Sequence, residues 1–358
     1  MLSIDLKESF LSIIRLGIGH NKLVPLIKVD WKELEVLAVQ QGLLDIIFDG
    51  VEKLQKSLRP PKIMILQWYG RVMQDEVRYA AQYKASVELA LLFHKNHVRT
   101  YVLKGLVVAE CYPQPSHRLS CDLDCFLLPQ KGIFDAYGLG NDLIKAQGIT
   151  VNNDFYKNST FCFHGLTVEN HRFMIPFRGN KRLKNLEIEL QEMLDKDKCM
   201  NIFQGTWLYR PPVMVSAIFL IEHSYSHFLH EGLTWKHVLD WFFFSRKYYS
   251  EICWLDLEKM IDKYGFRKFY DSFSRLGEYL VGELAEVDLT KRDKRMLSDI
   301  WNELDVHDSV RGLKGKLALV GNTWRARWKY HYFAEISMFH ALWIQVCGFL
   351  FDKHPRLN

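Results

Sequence analysis

The chain lacks any long apolar run. Its nearest approach is Ser337 to Phe351, SMFHALWIQVCGFLF, which falls short of the ~20 residues a spanning helix needs and carries His340 and Gln345. A buried C-terminal helix is the expectation there, with no stable membrane insertion. Cysteine is scarce: seven residues, an odd number, with no C-x-x-C pair. That argues against a disulfide framework, so no disulfide partner is expected, and Cys121 and Cys125 read as small core residues. The opening MLSIDLKESFLSIIRLG carries Asp5, Lys7 and Glu8 and no apolar h-region. It does not read as a secretory signal, and a reduced cytoplasm is the natural setting. Charge of one sign is also missing. Lys+Arg 47 against Asp+Glu 42 leaves a net +5, which admits an anionic substrate without announcing a nucleic-acid binder. No internal repeat and no low-complexity tract interrupts the chain.

What is present is a change of texture. A length of 358 residues suggests two or three units, each able to bury a core. Residues 1–96 read as helices. Asp30-Trp-Lys-Glu33 forms a capping-box pattern with Gly42 as a stop, Pro60-Pro61 breaks the chain, and Ile63 to Asn96 carries one long helical pattern. From His97 to about residue 206 the runs become short and β-like. Val98 to Leu103 is a strand, Arg118 to Leu128 another, and Gly132 to Gly148 a helix packing back on the sheet. Ile149 to Ile175 holds two more β runs, a hairpin or meander. Residues 207–358 return to helix, with Val213 to His230 and Thr234 to Tyr248 as its clearest segments.

The stretch Arg118-Leu-Ser-Cys-Asp-Leu-Asp-Cys-Phe-Leu-Leu128 carries the chemistry. As a strand it puts Arg118, Ser120, Asp122 and Asp124 on one face, and Leu119, Cys121, Leu123 and Cys125 on the other. Two carboxylates ~7 Å apart repel each other, and a divalent cation removes that cost. Hard oxygen ligands suit Mg2+. Upstream, Lys104-Gly105 ends the first strand, where glycine allows close backbone approach and a following helix N-terminus favours anions. Glu169, alternating with Thr167 and His171, completes a metal site or acts as a base. Asp154 competes for that place.

Leu103-Lys-Gly105, Tyr112-Pro113, Arg118 and Asp122-x-Asp124 together resemble the polymerase-β-like nucleotidyltransferase superfamily. The pattern is closest to its bacterial branch of uncharacterised nucleotidyltransferases (LKG…YP.P..R…D.D). Antibiotic nucleotidyltransferases and the nucleotidyltransferase toxins of abortive-infection systems look similar. The resemblance is specific over about 30 residues and looser to about residue 175. It implies an α+β fold, with a small mixed β-sheet nucleotidyltransferase core at 97–206 between helical regions at 1–96 and 207–358. It also implies transfer of NMP from an NTP such as ATP, with loss of pyrophosphate. Asp122, Asp124 and Glu169 match the metal ligands for two Mg2+ ions, or Mn2+ in their place. Lys104, Gly105, Arg118 and Ser120 match the nucleotide-binding positions. The acceptor is left open among a small molecule, an RNA 3′ end and a protein side chain. One departure stands out: where classical members carry Gly-Ser, this chain reads Pro115-Ser116-His117, and Ser116 or Ser120 takes the serine's place.

Three further features stay open at this level. The basic loop Pro176 to Arg182 reaches a phosphate or is a solvated surface. His223 and His227, spaced i and i+4, share a helix face as zinc ligands do, but no third ligand is specified. With Trp235 and Asp240 they read instead as helices closing over the nucleotide. Asn322 to His331 mixes cations and rings, as a base-stacking surface or an amphipathic helix does. A catalytically silent nucleotide- or metal-binding module, or a helical scaffold using Trp324–Phe351, is the alternative function. An enzyme needs Glu169 or an equivalent beside the Asp pair, and a silent module does not.

Overall fold

The computed structural model describes residues 2–20, 29–130, 132, 134–153, 156–196, 203–302, 324 and 326–351. Helices α1 (Ile4–Gly17), α2 (Trp31–Gln40) and α3 (Leu44–Lys53) precede the long α4 (Lys62–Lys95). The Asp30 side chain accepts from the backbone N–H groups of Lys32 and Glu33, so the cap read from sequence forms at the start of α2. Then come β1 (Val98–Val102), a one-turn α5 (Leu106–Ala109), β2 (Asp122–Pro129) and α6 (Ala136–Ala146). The hairpin β3 (Asn158–Phe163) and β4 (Leu166–His171), α7 (Lys181–Asp195) and β5 (Leu208–Tyr209) follow. The β3–β4 turn is His164-Gly165, both at positive φ (48° and 81°), the backbone twist that a two-residue hairpin loop requires.

The strands form one mixed sheet in the order β3-β4-β2-β1-β5. β2 runs antiparallel to β1 and parallel to β4, and β5 adds parallel to β1. Alternation splits the sheet into two unlike faces. Leu123, Cys125, Leu127 and Val168 pack with Leu89 and Phe93 of α4 and Ile144 of α6 in one core. The polar face of β2 and β4 turns toward α8 (Val213–His230) and α9 (Trp235–Lys247). The fold is α+β, a small mixed sheet flanked by helices.

Helices α10 (Trp254–Tyr264), α11 (Arg267–Val281) and α12 (Lys291–Asn302) complete the second helical group. It shares its core with α1–α3: Phe10 meets Trp301 edge-on at 5.7 Å, and Arg15 donates to the carbonyls of Tyr279 and Leu280 at 2.8 and 2.9 Å.

Several expectations need correction. β2 begins at Asp122, not Arg118. Side chains of flanking helices claim the preceding backbone: Gln82 donates to the Ser120 carbonyl and Lys236 to the Leu119 carbonyl, at 3.2 and 3.0 Å. Pro115–His117 is a turn of 3-10 helix. Cys121 is therefore exposed, while Cys125 is buried as expected. The helix Met338–Phe351 is not buried. Met338 packs against Tyr330 and Ala334, but Phe339 and Trp343 are each 67% exposed. Among the described residues no helix is long and apolar enough to cross a membrane.

Candidate active site

The site lies where the polar face of β2 and β4 meets α8 and α9. In the parallel register Asp124 stands opposite Glu169, and Asp122 opposite Thr167. Alternation puts Asp122, Asp124, Glu169 and His171 on one face. His171 Nε2 lies 3.1 Å from Asp124 Oδ1 and 3.5 Å from Glu169 Oε2. Asn158, from the neighbouring β3, donates to Glu169 Oε2 at 2.7 Å. Asp124, Glu169 and His171 offer ligand atoms within 4.8 Å of one another. His171 thus joins the cluster, and Asp122 lies on the same face one pleat away.

Electrostatics separates the two aspartates. Burial pushes the Asp124 carboxyl up, but the Lys104 ammonium and the His171 imidazole outweigh it and hold Asp124 below the ordinary carboxylate range. Asp122 has no such partner. Burial, then the Asp124 charge, raise it despite Lys104. Asp124 Oδ2 is buried without a hydrogen bond, and the Lys104 Nζ nearest to it is 3.9 Å away. An ionised, buried oxygen with no donor is a vacant ligand position for a cation.

Gly105 has φ 54° and ψ −107°, and a Cβ there would sit 3.2 Å from Ser120 Oγ. Only glycine suits that backbone so close to β2. Ser120 Oγ in turn donates to the Asp122 carbonyl at 3.1 Å, which ties the turn to the start of the strand. α5 is a single turn, so anion attraction at this end of β1 rests on Lys104 rather than on a helix N-terminus.

Arg118 is placed otherwise than expected. It is 2% exposed and grips Asp240 with Nε at 3.0 Å and Nη2 at 2.6 Å, while the Tyr112 hydroxyl donates to the same carboxylate at 2.7 Å. Two of its three nitrogens are thereby committed to α9, and the guanidinium is no free fork for phosphate. Trp235 is fully buried against Trp301 at 5.2 Å, a packing residue rather than a lid over a nucleotide. Ser116 accepts from Gln114 in the 3-10 turn, so Ser120 is the serine beside Gly105.

In the basic loop, Arg178 lies over the Tyr156 ring at 4.2 Å and Arg182 pairs with Glu335. Lys329, in the late cationic stretch, is buried against Asp299 at 2.8 Å. Asn322, Thr323 and Arg325 of that stretch, and Asp154, lie outside the described residues.

Sequence reasoning missed Asn158, and also Lys157, whose charge acts on Asp124, His171 and His223. Neither lay in a motif, and only the β3–β4 pairing brings them in. Asp240 was noted, but its partner was not legible across a separation of 122 positions.

A sequence profile described as uncharacterised nucleotidyltransferase matches residues 28–282. The chain belongs to that nucleotidyltransferase family. The match runs from the edge of α2 to the end of α11, so the family unit includes helices on both sides of the sheet as well as the Asp122-x-Asp124 strand. No curated protein and no solved structure matches the chain.

Proposed function

We propose that this nucleotidyltransferase moves a nucleoside monophosphate from an NTP to a hydroxyl acceptor and releases pyrophosphate. The observation that supports this reading best is Asp124 directly opposite Glu169, with Asp122 on the same face and Asp124 Oδ2 left without a donor. A silent binding module has no need of that third carboxylate. Asp122, Asp124 and Glu169 would hold Mg2+, or Mn2+, which when bound polarises the phosphoryl and acceptor oxygens.

The chain's own residues do the rest. Lys104 presents an ammonium to the phosphates from the end of β1, within 3.9 Å of Asp124. Gly105 keeps that turn free of side chain, and Ser120 braces it. His171 sits between Asp124 and Glu169 and helps hold the Asp124 carboxylate ionised. Asn158 orients Glu169. Arg118 acts through Asp240, holding α9 against the site. The acceptor oxygen is a hydroxyl, as small molecules, RNA 3′ ends and protein side chains all present.

Thermal stabilisation by each NTP, with and without Mg2+, tests the reading. A ligand at 100 times its Kd adds about 2.7 kcal/mol. The expected result is a Mg2+-dependent shift with at least one NTP that disappears in Asp122→Asn/Asp124→Asn. An absence of both a shift and pyrophosphate release with every NTP would sink the proposal.

A further inference from the structure

Outside the acidic cluster, a second group of ligand atoms comes together. His223 and His227 on α8 and His237 on α9 offer ring nitrogens that all lie within 4.8 Å of one another. The first two are spaced i and i+4, so they project from one helix face, with ring centroids 4.4 Å apart. His237 supplies the third side, 5.0 Å from His227 and 6.3 Å from His223.

Each ring is held from outside the group. His227 Nδ1 lies 2.9 Å from Glu231 Oε2, a carboxylate placed to accept its proton. His237 Nδ1 lies 2.9 Å from Thr234 Oγ1. A carboxylate or hydroxyl on the outer nitrogen is how metal-binding imidazoles are oriented. His223 stacks on Phe219 at 5.7 Å. Burial and the surrounding positive groups, Lys104 first, hold His223 well below the ordinary imidazole range. Burial and His227 do the same for His237.

We propose that His223, His227 and His237 form a site for a borderline transition cation of the Zn2+ class, separate from the hard-cation site on the sheet. Three imidazoles without a carboxylate suit Zn2+ and not Mg2+. Three protein ligands also leave a fourth position open to water or substrate. Closing the nitrogens to the edge of a tetrahedral site, about 3.4 Å for Zn–N near 2.0–2.1 Å, takes only small ring movements. At His237 the metal-free ring accepts from the Thr234 N–H at 3.2 Å. Ligation through Nε2 exchanges that contact for an Nδ1–H bond to Thr234 Oγ1.

A cation already competes for this site. Lys104 Nζ lies 2.8 Å from His223 Nε2, and an ammonium at that distance cannot coexist with a divalent ion on the same nitrogen. Metal binding therefore displaces Lys104 toward Asp124, and removing the lysine strengthens metal binding. The proposal stands on these side chains alone and does not depend on nucleotidyl transfer.

The test uses the full chain without an affinity tag, loaded with Zn2+, dialysed, and analysed for bound metal. About one equivalent is expected in the wild type and in Asp122→Asn/Asp124→Asn, with at least a tenfold loss of affinity in His227→Gln and His237→Gln. Lys104→Ala binds Zn2+ more tightly than the wild type. Co2+ in the wild type gives the intense visible absorption of a four-coordinate site, a readout that holds even where a histidine variant fails to fold. Equal zinc in wild type and folded histidine variants overturns the proposal. So does zinc lost only with the aspartates, or a wild type that takes up none.

Discussion

Asp122 and Asp124 stand two residues apart on one strand, yet their surroundings pull their protons in opposite directions. Asp124 is held ionised by Lys104 and His171, whereas Asp122 meets burial and a like charge. The two single variants should therefore differ in stability. In metal-free buffer at pH 7, Asp122→Asn removes a charge that costs stability, and the protein becomes as stable or slightly more so. Asp124→Asn weakens charge-assisted bonds to buried partners and costs about 1–3 kcal/mol. Urea unfolding of both variants checks this, and the reverse order would mean the assigned partners are wrong. Strand alternation placed Asp122 with Asp124, and Glu169 with His171, each on one face of its own strand, and the β2–β4 register makes the two faces one. The difference between the aspartates was not legible, because Lys104 acts on both while the His171 hydrogen bond and the Lys157 charge act on Asp124, and only the strand pairing delivers those two.

At the scale of elements, α9 is fastened to the sheet side of the molecule by one buried cluster: Arg118, Asp240 and Tyr112. Removing one partner from a buried pair leaves an uncompensated charge, so Asp240→Ala is expected to cost about 3–5 kcal/mol. Tyr112→Phe loses one hydrogen bond to the carboxylate and costs about 1.5–3 kcal/mol. Arg118→Lys separates the two roles considered for this residue. A phosphate ligand replaced by lysine changes NTP affinity at full stability, whereas the Asp240 anchor loses its bidentate fork and with it stability. Chemical denaturation of Arg118→Lys alongside nucleotide titration is expected to show the second pattern. Most elements could be read directly: the long α4 from its pattern and the proline pair before it, and α8 and α9 nearly to their ends. The start of β2 could not, since Gln82 and Lys236 from distant helices take the backbone that would have extended it. The C-terminal helix was read as buried because its composition is apolar, and composition does not reveal that few elements are near enough to cover it.

At the scale of the whole molecule, the helices before and after the sheet form one core, and His117 links the first group to the loop that enters β2. Its Nδ1 lies 2.8 Å from Asp49 Oδ2 on α3, and its Nε2 lies 3.2 Å from Glu76 Oε1 on α4. His117 is thus a clamp between helices. Burial opposes its charge, but the Asp49 and Glu76 bonds prevail and raise it to about 9. A raised histidine stabilises fully below its unfolded value near 6.5, and that stability is lost as pH rises through 9. Burial likewise raises Glu222 to about 8 and, with the Asp75 charge, Asp45 to about 7. Both acids bind protons in the folded chain that the unfolded chain has released, so both act with the same sign as His117. Below 6.5 the sign reverses for His223 and His237, which are lowered and must be kept neutral in the fold. Stability in urea is therefore expected to fall steadily from pH 6.5, the histidine reference value, toward pH 8, the Glu222 value, whereas below 6.5 the two acids and the two histidines oppose each other. His117→Gln should lower stability at pH 6.5 and flatten that fall, because it removes the titrating clamp and leaves the two acids in place. A His117→Gln profile that falls as steeply as the wild type's would show that His117 is not protonated between its two carboxylates.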